Sequence, residues 1–241
     1  MKISTHAASL IMLATMAFFF AHIPAFSQTL RGNGNVKTES RTVSNFKGID
    51  VSGGFAVEVI LGNKEGVVLE AEENLLSNIK TDVRNGVLHI YNDKSLNSSK
   101  PMKAFVTVKE LNNIDISGGV KVTGKSTFKT GTFDLDMSGG SKVILALQVQ
   151  TLKADLSGGS NVTLTGRANE VTVDMSGASK VEASELEAKN VKIEASGGSK
   201  IKVFAKENLD INASGASNVA YKGSPKIDAE TSAAAKISKM N

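Results

Sequence analysis

The sequence predicts an all-β chain, a single-stranded right-handed parallel β-helix (β-solenoid) with coils of about 18–21 residues and a more irregular N-terminal β part. First, a phrase of the form acid-x-Ser-Gly-Gly/Ala-Ser-Lys/Asn-Val/Ile recurs along the chain. Its Ser-Gly steps fall at Ser52-Gly53, Ser117-Gly118, Ser138-Gly139, Ser157-Gly158, Ser176-Gly177, Ser196-Gly197 and Ser214-Gly215, and a degenerate copy runs from Ser232 to Ile237. Second, the spacing is regular: from Ser117 onward the steps are 21, 19, 19, 20, 18 and 18 residues. Third, apolar residues alternate on both sides of each step, as in Val171, Val173, Met175 and then Val181, Ala183. That is the period of a half-buried strand. With no helical period and no Asn-Gly hairpin inside the repeats, successive copies are expected to stack in parallel.

Taken in order, residues 1–27 read as a signal peptide. Lys2 gives the positive start, Ala7 to Ala21 is almost wholly apolar, and Ala25-Phe26-Ser27 is a small-x-small site that places cleavage between Ser27 and Gln28. The apolar run, about 15 residues, is shorter than the roughly 20 needed to cross a bilayer. The chain is therefore expected to be exported, to the periplasm, the outer membrane surface or the extracellular space. Without cysteine it has neither a lipid-modified cysteine nor disulfides, so stability must come from packing. Removing residues 1–27 lowers Lys+Arg from 28 to 27 against 24 Asp+Glu. A net charge of about +3, evenly mixed, does not point to nucleic acid.

Residues 28–44 carry little apolar pattern and read as a flexible entry segment, part of which adds an edge strand at most. The domain proper is expected over 45–236, with an irregular first part at 45–110 and regular coils at 111–236. In the first part Phe55 to Leu61 and Val67 to Ala71 read as strands, and Glu72 to Lys80 as a short helix or loop. Asn85-Gly86 is a hairpin turn signal, and Asp93 to Pro101 a polar loop. In the coils, the first glycine of each step is expected at a tight corner needing positive φ, whereas Ala178 and Ala216 show that the second position needs only smallness.

The phrase Phe46-Lys-Gly-Ile-Asp-Val-Ser-Gly-Gly54, with Glu73-Asn-Leu-Leu76 and the train of Ser-Gly-Gly/Ala copies, resembles the family called putative auto-transporter adhesin, head GIN domain. The resemblance covers roughly residues 40 to 235 and departs only in the last copy, where alanines replace the glycines. It implies an exported β-helical protein of the kind frequent in Bacteroidetes. It transfers no catalytic or binding residue.

Among candidate sites, the most suggestive is a ridge of Asp115, Asp136, Asp155, Asp174 and Glu194, which stacking would align in one column. Such a column needs compensation. A cation such as Ca²⁺ is one means; the other, which the sequence favours, is structural, with the acids hydrogen-bonding in the turn and pairing with the lysines or asparagine six residues on, at Lys121, Lys142, Asn161, Lys180 and Lys200. The dense Gly-Gly-x-Gly-x-Asp phrase of Ca²⁺-loading solenoids is absent. No metal, cofactor or catalytic residue is assigned.

A polysaccharide-cleaving enzyme is the catalytic rival, but the coils leave no room for cleft-forming loops and there are only four arginines, Arg31, Arg41, Arg84 and Arg167. Asp134 beside Asp136 reads as two outward residues on one strand. The repeated serines lack the preceding glycine of a hydrolase elbow, and His89, expected to be exposed on a strand, is alone after residue 27. Only Tyr91 and Tyr221 offer exposed rings, too few for a sugar-stacking platform. The sequence thus predicts a non-enzymatic envelope or surface scaffold that binds an unknown glycan or surface protein and no nucleic acid. Self-association through the solenoid ends is the alternative.

Overall fold

A computed structural model describes residues 29–232 and 234–240; residues 1–27, read from the sequence as a signal peptide, and the expected cleavage point at Ser27 and Gln28 lie outside the described residues. The irregular first part holds β1 (Leu30–Arg31), β2 (Val36–Arg41), β3 (Gly48–Ser52), β4 (Phe55–Leu61) and β5 (Gly66–Glu72). After a 3-10 turn at Leu76–Asn78 come β6 (Ile79–Arg84), β7 (Val87–Asn92), β8 (Leu96–Asn97) and β9 (Met102–Val108). The coils follow as β10 (Asn113–Ser117), β11 (Lys121–Met137), β12 (Lys142–Leu156), β13 (Asn161–Met175) and β14 (Lys180–Ala195). The last strands are β15 (Lys200–Ala213), β16 (Asn218–Lys222), β17 (Lys226–Thr231) and β18 (Lys236–Lys239).

The chain forms a β-solenoid of about seven turns with a more irregular N-terminal part. From β10 to β18 each strand pairs in parallel with its counterpart one coil away. Because the pairing is in register, each inward side chain falls in a column with its equivalents. One column runs Val57, Val122, Val143, Val162, Val181, Ile201 and Val219, all at most 2 % exposed. Branched side chains suit this packing, and each fully buried one contributes roughly 1.5–3 kcal/mol of transfer free energy. The bulkiest fully buried side chains are Phe46 and Phe55 of the irregular part and Phe128 and Phe133 of β11.

That end departs from the coil pattern. At Asn85 (φ 51) and Gly86 (φ 77) both turn residues are left-handed, and β6 and β7 form the expected antiparallel hairpin. β7 docks in parallel on β3, bringing the hairpin onto the end of the stack. On the other wall β5 lies antiparallel to β9 and β2. The segment read as a flexible entry thus supplies the edge strand β2, and β1 pairs with β8 inside the polar loop. After the degenerate last corner the chain continues into β18, beside β16.

Candidate functional site

Each regular coil turns at its Ser-Gly step, and the chemistry of the corner follows from that turn. The first glycine has positive φ in every copy from Gly53 (98°) to Gly215 (65°). Its carbonyl accepts the N–H of the second small residue one coil on: Gly159 to Gly139 at 2.9 Å, Ala178 to Gly158 at 2.8 Å, Gly198 to Gly177 at 2.7 Å. The second serine of the phrase turns inward. Ser141, Ser160, Ser179, Ser199 and Ser217 are at most 1 % exposed. Each hydroxyl donates to the carbonyl of the first serine three residues back, at 2.6–3.1 Å. The repeat phrase does not reveal this buried hydroxyl column, because a serine beside glycines reads as an exposed turn residue. These bonds give the five buried serines a structural role at the corner.

On the strand before the corner the outward acids align rung by rung: Asp50, Asp115, Asp136, Asp155, Asp174 and Glu194, then Asn212 and Glu230. His89 stands at the N-terminal end of the column, opposite Asp50, with Nδ1 2.8 Å from an Asp50 carboxylate oxygen. Alternation placed His89 on the outward face but did not reveal its neighbour, since nothing in the sequence says that β7 docks on β3. Burial, then the Asp50 and Asp136 carboxylates, push the Asp115 pKa above its usual value. Burial, then Asp155 and Asp134, do the same for Asp136. Glu194 is paired, with Lys192 at 2.8 Å. Asp134 and Asp136 flank buried Leu135 and both face outward. Beside the column runs an open groove of about 290 Å³, lined by Asp115, Asp136, Asp155, Asp174 and the corner serines. Among the described residues no three His, Asp or Glu side chains converge as a metal site.

The expected lysine compensation across the corner does not form. Lys121, Lys142, Asn161, Lys180 and Lys200 make their own column, continued by Asn218 and Lys236. None of these lysines makes an ion pair among the described residues. The reason is geometric. The corner turns the chain between the two positions, so acid and lysine face different walls. Ion pairs form within walls instead, as between Glu182 and Lys202 at 3.1 Å and Glu187 and Lys206 at 2.8 Å.

A second buried polar centre closes the irregular part. Glu72 is fully buried. Its carboxylate accepts from Ser98 Oγ at 2.7 Å, from Ser99 Oγ at 2.8 Å, and from the N–H groups of Ser99 at 2.9 Å and Gly34 at 2.5 Å. The Ser98 bond leads, and together these donors outweigh burial and hold its pKa down at about 2. Asn74, from the Glu73-Asn-Leu-Leu76 phrase, adds a bond from Nδ2 to the Arg31 carbonyl at 2.8 Å. Entry segment, β5 and the 93–101 loop are thereby fastened together, which sequence alone could not show because the partners are 26 to 43 residues apart.

Several solved structures share this fold. A putative adhesin from Bacteroides fragilis is 25 % identical, with a TM-score of 0.77 over 87 % of this chain and 95 % of its own. A putative lipid binding protein from Parabacteroides distasonis is 21 % identical, with a TM-score of 0.74 over 89 % of this chain and all of its own (100 %). A putative adhesin from Parabacteroides merdae is 18 % identical, with a TM-score of 0.72 over 88 % and 99 % of the two chains. No curated protein matches the chain. The model of the family described as putative auto-transporter adhesin, head GIN domain, matches residues 45–225, and the chain belongs to that family.

Proposed function

We propose that this chain is exported to the periplasm, the outer membrane surface or the extracellular space, where it serves as a non-catalytic adhesive scaffold. Its side walls are the binding surface, for a glycan or a surface protein. The observation that carries this reading is the pair of flat walls on which outward side chains repeat in register, coil after coil. Such a surface offers an extended partner many equivalent weak contacts, which sum through multivalency. Family membership and the likeness to structures named as putative adhesins support it. The signal-like segment with Lys2 and Ala7 to Ala21 supports export.

Cleavage of a polysaccharide is less well supported. A glycosidase flanks the scissile bond with two carboxylates, whereas the acids here lie in single file along one wall. The lipid reading attached to the Parabacteroides distasonis structure finds less support still: among the described residues the grooves are open and lined by charged side chains, Asp115, Asp136, Asp155 and Asp174 in one and Lys180, Lys200 and Lys202 in another, whereas a lipid site encloses its ligand in mostly apolar walls. The test is a screen of the chain against glycans and envelope proteins, beside a variant with charges reversed on one wall. Saturable binding lost in the variant supports an adhesive wall; no binding by well-folded protein refutes it.

One observation favours a second reading, association through the solenoid end. All six residues of β17 are exposed, including Ile227 at 41 %, and an exposed strand edge is a template for pairing. Light scattering that shows monomer at every concentration would remove it.

A further inference from the structure

The lysine column is an unneutralised surface. Lys121, Lys142, Lys180, Lys200 and Lys236 occupy five of seven successive rungs, with Asn161 and Asn218 on the others. Rungs lie about 4.8 Å apart, so the column runs about 30 Å in a straight line. None of the five makes an ion pair among the described residues, and a shallow groove of about 370 Å³ opens between Lys180, Lys200, Lys202 and Asn218. The next outward column holds Thr123, Ile144, Thr163, Glu182, Lys202 and Ala220. Continued onto β4 the column also holds Glu58, and both of its acids are already held, Glu182 by Lys202 at 3.1 Å and Glu58 by Lys125 at 3.2 Å.

Resting on the adhesive-wall reading, we propose that this lysine wall binds a linear carboxylate-bearing glycan, of the polyuronate class, laid along the solenoid axis. Charge sign and linearity come from the column: a row of point charges one side chain wide fits a single extended chain. The period matches as well, since one sugar ring advances a glycan by about one rung. Threonine and asparagine at the rungs supply hydrogen bonds to hydroxyls. A nucleic acid fits less well, because over these seven rungs neither column carries an aromatic ring on which bases would stack. The acidic column beyond the corner repels the same ligand, so only one wall is used.

The test is titration of the full chain with polygalacturonate oligosaccharides, with the fully methyl-esterified form as the uncharged control and oligo(dT) of equal charge as the competitor class. Binding is expected to the free acid only, and to weaken at least about tenfold between about 50 and 200 mM NaCl as counterions return to the ligand. K142Q/K180Q/K200Q is expected to cut affinity at least about tenfold without changing the melting curve, while K142R/K180R/K200R keeps it and D136N/D155N leaves it equal or tighter. Equal binding of the methyl ester, indifference to the glutamine substitutions, tighter binding of oligo(dT), or no binding at the lower salt would each overturn the proposal. Capture of a different glycan or envelope protein by the triple glutamine variant would leave the adhesive reading standing and remove only this one.

Discussion

The corner glycines give the sharpest quantitative contrast in the molecule, between Gly177→Ala and Gly159→Ala. At Gly177 φ is +75°, and a Cβ would lie 2.7 Å from the Gly158 carbonyl oxygen. That oxygen already accepts the Ala178 N–H at 2.8 Å, so it cannot swing away without breaking a ladder bond. The left-handed conformation costs a non-glycine residue about 1–2 kcal/mol, and the backbone shift needed to relieve the contact adds about 1–3 kcal/mol. The expected loss for Gly177→Ala is therefore about 2–5 kcal/mol. In a chain of this size each kcal/mol lowers Tm by roughly 2–4 °C, so a loss near the middle of that range moves Tm by roughly 6–14 °C. At Gly159 a Cβ meets nothing closer than 3.9 Å, and φ is not in the positive region. Gly159→Ala is expected to be neutral or to stabilise by up to about 1 kcal/mol through the unfolded chain. Paired thermal and denaturant melts read both values, with hydrogen exchange to locate the damage, since solenoid coils are coupled mainly to their neighbours. Equal effects of the two substitutions would refute the argument that the corner carbonyl, rather than smallness alone, demands the first glycine.

Ser179→Ala removes a buried hydroxyl that donates to the Ser176 carbonyl at 3.1 Å, and is expected to cost about 1 kcal/mol in a denaturant melt. For Asp136 the folded pKa is raised, so the folded state binds its proton more tightly than the unfolded one. The resulting destabilisation is absent at low pH and appears as pH rises from the ordinary aspartate range through the raised folded value. D136N should therefore raise stability at pH 7 by about 0.2–1 kcal/mol and lose its advantage at about pH 3, read by melts at both pH values. Glu72 behaves oppositely: its pKa of about 2 means a contribution fully present above the ordinary glutamate range and lost as pH falls toward 2. A Cβ at Gly32 would fall 1.9 Å from the Glu72 carboxylate. E72Q and Gly32→Ala are both expected to speed amide exchange at Gly34 and Ser99 while leaving the Ser160 and Ser179 coils protected; unchanged exchange at Gly34 would argue against the clasp.

What was legible in the sequence was whatever the repeat copies. Spacing and alternation gave the coil, its inward columns and the corners, because parallel in-register stacking follows once one coil's inward set is known. The Asn85-Gly86 hairpin was legible for a local reason, two adjacent residues that accept positive φ. The Glu72 clasp and the His89–Asp50 contact were not, since each joins segments that occur once and pair at long range. The acid–lysine pairing failed for a different reason. Six residues of separation suggests proximity in a line, but the Ser-Gly corner lies between them and redirects the second position onto the other wall.

Parallel stacking thus copies every outward choice into a column, and charge is neutralised along a wall rather than across the corner. Glu182 and Lys202 are opposite one another in adjacent coils of a single column, and that pair closes to 3.1 Å. The same logic applies to Asp155, which stands between Asp136 and Asp174 with no cation in its column. Asp155→Lys would replace two like-charge neighbours by two opposite-charge ones, each cross-strand contact being worth about 0.2–1 kcal/mol. A gain of about 1 kcal/mol at low ionic strength is expected, shrinking at about 1 M NaCl, where screening acts within about 3 Å. Lys180→Gln, by contrast, should change stability by no more than about 0.5 kcal/mol, because Lys180 is not the partner of Asp174. If Asp155→Lys were destabilising, or Lys180→Gln cost as much as a lost ion pair, charge compensation would run across the corner and the two-wall description would be wrong.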